Sequence, residues 1–137
     1  MARANKKPKP EFEVLIDGFS HDGRGVGRVN GKAVFVSGAL VGEQVRAQLI
    51  AKNKHFDEAK VLELITTSFD RITPKCPHFG LCSGCVLQHM SADKQIEAKQ
   101  TTLLDNLQRI GHVTPKQILS VLTAEPWGYR RKGRFSV

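Results

Sequence analysis

The sequence predicts a mainly β protein: a small five-stranded barrel of the OB type, then a cysteine-rich loop, one helix and the start of an α+β region. Three observations carry this expectation. Five short apolar-alternating segments fall within about 55 residues, each bounded by turn-forming residues. Strands this short and this close avoid bare edges by closing on themselves. Beyond residue 67 the two-residue alternation stops, and after Ser91 a helical period replaces it.

The first strand begins at Glu11. Phe12, Val14 and Ile16 share one parity, and Glu11, Glu13 and Asp17 the other. Leu15 interrupts the alternation and implies partial burial on both faces. Strands at 24–29 and 32–36 flank Asn30-Gly31, where a type I′ turn needs two residues that tolerate positive φ. SGALVGE (37–43) reads as a loop. QVRAQLI follows, with Val45, Ala47 and Leu49 inward and Gln44, Arg46 and Gln48 outward. KNKHFDE is a polar turn, and AKVLELI (59–65) supplies the fifth strand. Grooves on such barrels commonly take single-stranded nucleic acid.

Residues 66–75 read as a connector. Ser91 is a natural helix N-cap, and Ile96, Leu103, Leu107 and Ile110 follow on one face, expected to pack on the core. Gly111 is the expected stop. Residues 112–125 suggest a linker or a short strand. WGYRRKGRFSV then reads as a strand opening a new unit, and the sequence ends inside that pattern, as a fragment of a longer protein would. The expected organisation is a disordered basic arm (1–10), the barrel (11–67), the cysteine segment (68–90), a helix (91–111) and the beginning of a further region (112–137).

The formal charge is +8, and it sits at the two ends. Arg3, Lys6, Lys7 and Lys9 precede the barrel with no acid among them, and Arg130, Arg131, Lys132 and Arg134 close the chain likewise. Clustered cations release counterions from phosphates, which favours nucleic acid. Candidate RNA contacts are Arg24, Arg28, Lys52 and Lys54 on the barrel and Arg130, Arg131 and Lys132 near the end, where aromatics interleave. A solvated surface charge is the plain alternative for each. No run of 18 apolar residues occurs, so no membrane span is expected, and MARANKKPKP lacks the apolar core of a secretory signal. A cytoplasmic protein is the simplest expectation.

All three cysteines lie in CPHFGLCSGCVLQHM, at Cys76, Cys82 and Cys85. A disulfide framework asks for an even count and an oxidising compartment. Free structural thiols rarely cluster. Metal binding accounts for the spacing best, with Ser83-Gly84 shaping the turn of the Cys-x2-Cys pair. Zinc would complete its four ligands with His78 or His89. An iron–sulfur cluster would want a fourth thiolate.

This segment resembles the cluster loop of bacterial RNA uracil-5-methyltransferases, in its Cys-x5-Cys-x2-Cys spacing, the Gly before the third Cys and the Gln-His after it. DGRGVGR, the VFV strand and the Gly-Glu before the next strand resemble a TRAM module, and PWGYRRKGRFSV is similar to the opening of that family's central domain. A TRAM module ahead of the cluster points to the branch acting on 23S ribosomal RNA. The resemblance implies an S-adenosylmethionine-dependent enzyme that methylates carbon 5 of a uridine; a monomer is expected. It implies that Cys76, Cys82 and Cys85 bind a 4Fe-4S cluster, with the fourth ligand beyond Val137. The family's nucleophile, base and S-adenosylmethionine site match nothing in 1–137, so no catalytic or S-adenosylmethionine-binding residue is assigned, and the chain alone is expected to be inactive. The alternative is a non-enzymatic RNA-binding barrel with a zinc knuckle.

Overall fold

The computed structural model describes residues 9–82 and 84–134. The expectations placed on residues 1–8, on Ser83 and on 135–137 lie outside the described residues. Five strands, β1 (Glu11–Phe19), β2 (Gly25–Val29), β3 (Lys32–Ser37), β4 (Gln44–Lys52) and β5 (Phe56–Thr66), precede one helix, α1 (Ala92–Arg109). The strands close into a barrel in the order β1-β2-β3-β5-β4. All neighbours are antiparallel except β3 and β5.

Alternation does what it should. Val14, Ile16, Val34, Val36, Val45, Ala47 and Ala59 fill the barrel, with Ala39 from the β3–β4 loop. Each buried Val or Ile contributes roughly 1.5–3 kcal/mol. Leu15 is 61% exposed, so the strand buries one face only. The break in alternation there is an outward leucine. Asn30 (φ 51°) and Gly31 (φ 78°) form the expected turn, with Val29 paired to Lys32. The fifth strand starts at Phe56, three residues before AKVLELI, because Phe56 to Glu58 pair with Ala33 to Phe35.

Gly27 is required by space. A Cβ there would stand 2.4 Å from the Leu15 carbonyl oxygen and 2.5 Å from Val14 Cγ2, where β1 crosses β2. Gly27→Ala should cost about 1–3 kcal/mol. A urea midpoint unchanged from the parent chain would contradict that close approach.

Beyond the barrel four details differ from expectation. Ser91 occupies the N-cap but makes no side-chain cap bond. Gly111 ends the helix without positive φ. His112 (φ 51°) takes that conformation, and the Val113 N–H bonds the Leu107 carbonyl at 2.9 Å. The helix does not pack on the core: none of its residues is buried, and Leu103 and Ile110 are exposed. Its apolar face borders an open groove shared with Ile118, Leu119, Val121 and Leu122. Finally, residues 112–134 form no strand. No helix among the described residues is long and apolar enough to cross a membrane.

Candidate nucleic-acid interface and cysteine loop

A buried ion pair joins the barrel to the loop beyond it. Glu43 is fully buried. Its carboxylate accepts from Arg71 Nε (2.5 Å) and Nη2 (2.8 Å), from the Leu40 N–H (2.8 Å) and from the Ser68 N–H (3.2 Å). Arg71 also donates to the Gly38 carbonyl at 2.6 Å. Burial pushes the Glu43 carboxyl up, but these donors, Arg71 foremost, outweigh it and hold the group below the usual carboxylate range. The Gly-Glu of SGALVGE is therefore an anchor for residues 38–43 and 68–71 together.

His89 lies behind this pair, 2% exposed, its ring centroid 5.2 Å from that of Phe79. Neither ring nitrogen has a hydrogen-bond partner. Burial first, then the Arg71 charge, lowers its pKa to about 4, against a weaker opposing pull from Glu43. A neutral imidazole packed on Phe79 is a core residue here. It is not presented as the fourth ligand that a zinc site would ask of it.

The cysteine loop runs over the barrel's β1–β2 turn. A Cβ on Gly23 would meet Val86 and Leu87 at 3.0–3.3 Å, which places those side chains against the turn. Cys76 is half-buried, Cys82 and Cys85 are exposed, and none is in a disulfide. The loop winds through local bonds: Phe79 N–H to Cys76 O, Leu81 and Cys82 N–H to His78 O, and Cys76 N–H to Gln88 Oε1. Gly84 N–H donates to Cys82 Sγ at 3.2 Å. In kind, these donors suit an iron–sulfur group: soft, free sulfurs, one already accepting an amide hydrogen. In placement they do not close a site. Among the described residues no three His, Cys, Asp or Glu side chains are gathered closely enough to hold a metal.

The predicted basic residues separate into groups. Arg24 is committed, paired with Asp22 (2.8 Å) and Glu58 (3.3 Å), its guanidinium 4.8 Å above the Phe35 ring. Arg28, Lys52 and Lys54 are exposed and make no ion pair among the described residues. Lys32 Nζ donates to the Asn53 carbonyl and to Asp57, which ties the β2–β3 and β4–β5 turns together and brings these three cations to one end of the barrel. Arg130, Arg131 and Lys132 are exposed. Arg130 and Cys85 line the same groove, of about 510 Å³, with Trp127 and Tyr129. Lys75 Nζ stands 5.1 Å from the Trp127 ring, and the Arg130 guanidinium 5.9 Å from that of Tyr129.

Sequence reasoning passed over Arg71 and Lys75, marked Glu43 only within the Gly-Glu of the resemblance, and named His89 as a metal donor and within the Gln-His. A lone Glu after a loop glycine and a lone Arg in a connector carry no pattern that pairs them. Phe56 was likewise unmarked, and Phe35 was noted only within the VFV strand, where it stands at the outward parity between Val34 and Val36.

The strands form a closed five-stranded barrel, and the TRAM domain model matches residues 7–62, which hold most of it. Over its whole length the chain is similar in sequence to part of proteins named 23S rRNA (uracil(1939)-C(5))-methyltransferase RlmD. It is 56% identical over 141 aligned positions to the 23S rRNA (uracil(1939)-C(5))-methyltransferase RlmD of Xanthomonas euvesicatoria pv. vesicatoria, covering 100% of this chain and 32% of that protein. The RlmD proteins of Xanthomonas axonopodis pv. citri (55%) and Stenotrophomonas maltophilia (56%) match with the same coverage. The chain thus spans about a third of the length of these relatives.

Proposed function

We propose that this chain is the RNA-binding and cluster-bearing part of an S-adenosylmethionine-dependent methyltransferase that acts on carbon 5 of a uridine in 23S ribosomal RNA, as a monomer in the cytoplasm. The identity to RlmD proteins across all 137 residues carries this proposal. The barrel and the exposed cations hold the RNA. None of residues 1–137 is assigned to S-adenosylmethionine or to the methyl transfer, and the chain alone transfers no methyl group. Cys76, Cys82 and Cys85 supply three thiolates to a 4Fe-4S cluster, whose fourth ligand comes from outside these residues. The cluster would be held by these three thiolates and would cross-link the loop through them.

RNA binding is testable by fluorescence anisotropy with a labelled ribosomal RNA fragment. Affinity should fall steeply with salt, and Arg28→Ala or Arg130→Ala should each lower the salt slope by about one. Salt-independent binding would reject the phosphate contacts. The ligand assignment has its own readout. Cys82→Ser, reconstituted anaerobically within the longer protein, should lose iron and the broad absorption of a cluster. Iron and acid-labile sulfide equal to the parent's would remove Cys82 from the ligand set.

A further inference from the structure

Two half-buried glutamines, Gln88 and Gln95, make hydrogen bonds that neither the barrel nor the helix requires. Residues 87–90 form a turn, closed by the Met90 N–H on the Leu87 carbonyl at 3.0 Å. The connector holds this turn from one side. Arg71 and Met90 pair antiparallel, the Ile72 N–H donates to the His89 carbonyl (3.0 Å) and the Ser91 N–H to the Asp70 carbonyl (2.8 Å). From α1, Gln95 donates through Nε2 to the Leu87 carbonyl (3.0 Å) and the Met90 carbonyl (2.9 Å). The turn is thereby fixed to the stretch that Arg71 anchors on Glu43. At its centre His89 is buried, while Gln88 reaches back 12 positions, its Oε1 accepting from the Cys76 N–H at 3.2 Å. Cys82 and Cys85 lie on the chain between those two partners. One hydrogen bond thus joins the entry of the thiol-bearing loop to its exit.

We propose that Gln88 and Gln95 are positioning residues for the thiol loop: Gln88 ties its two ends together through the Cys76 amide, and Gln95 holds the exit to α1. The proposal rests on the cluster-bearing function proposed above and names the side chains that ready the loop for it. Gathering thiols from both ends of a loop on one centre costs chain entropy, and a loop whose ends are already joined has less to lose. The two amides have opposite duties. Gln88 works as an acceptor, so its carbonyl oxygen is the group that counts. Gln95 works as a double donor, so its NH2 is. Residues that orient metal ligands from behind typically change metal affinity about 10- to 100-fold when they are lost.

The test turns on that opposition. In the reduced 137-residue chain at pH 7, amide exchange resolved by NMR should show the Cys76 N–H protected in the parent and about fivefold or more faster in Gln88→Leu. Gln88→Glu keeps an acceptor oxygen at the same reach and should restore the protection. Gln95→Glu removes both donors and sets a carboxylate against two carbonyl oxygens, so the Met90 N–H should exchange about fivefold or more faster. A carboxylate in the first turn favours α1 itself, so this loosening does not come from a weaker helix. Barrel amides and the thermal midpoint should stay close to the parent's in all three variants. In the longer protein, reconstituted anaerobically, Gln88→Leu and Gln95→Glu should lose iron to a chelator about tenfold faster than the parent, with matching decay of the broad visible absorption. An unchanged Cys76 amide in Gln88→Leu, equal damage from Leu and Glu at position 88, or parent-like iron loss would each overturn the positioning role. A parent that takes up no iron would remove the cluster function alone, and the exchange rates would still decide what the two glutamines hold.

Discussion

Glu43→Ala is expected to destabilise the chain by about 3–5 kcal/mol, because it leaves the Arg71 guanidinium largely buried without its carboxylate. Two backbone donors, at Leu40 and Ser68, lose their acceptor in the same step. Urea unfolding followed by circular dichroism measures the loss. The double variant Glu43→Ala, Arg71→Ala should be less damaging than the two single losses added together, since no orphan charge remains. Strict additivity, or a single-variant loss under about 1 kcal/mol, would show that the pair does not lock the β3–β4 loop to the connector.

Acid should weaken the fold first through His89. The His89 pKa lies near 4 in the folded chain and near 6.5 when unfolded. Its folded value is depressed, so the neutral form is the one the fold accepts. The stability it contributes is whole above pH 6.5 and drains away as pH falls from 6.5 toward 4, while the unfolded state takes up a proton that the folded state refuses. Two and a half units amount to about 3 kcal/mol. Glu43, also depressed, adds its own loss only below its ordinary value of 4.5. His89→Phe keeps a ring against Phe79 and removes the titration. Its stability should stay level between pH 6.5 and 4.5, where the parent's declines. A parent curve that is flat across that interval would mean that His89 is protonated inside the fold.

The barrel could be read from the sequence because its signals are local. Val45, Ala47 and Leu49 declare an inward face by spacing alone, and Asn30-Gly31 declares a hairpin by its tolerance of positive φ. What spacing cannot show is long-range pairing. Glu43 meets Arg71 across 28 positions, and the Phe35–Phe56 contact depends on the parallel β3–β5 pairing that the closed barrel sets up. The helix was misjudged for a related reason. A 3.6-residue apolar period identifies a face without naming its partner, and the face of α1 looks toward residues 115–122 and solvent instead of the barrel. The cysteines announced themselves by proximity in sequence. The loop bonds around Cys76 and Cys82 are short-range, but gathering three sulfurs on one centre is not decided by that local winding.

Closure of β1 onto β4, with β5 wedged between β3 and β4, has a consequence for biosynthesis. A ring has no stable half-built form, so a nascent chain cannot finish the barrel until Thr66 has left the ribosome. Arg71 emerges next and seals the Glu43 pocket, and only then do the thiols of residues 76–85 appear. The order of synthesis thus hands the reactive loop to a scaffold that is already complete.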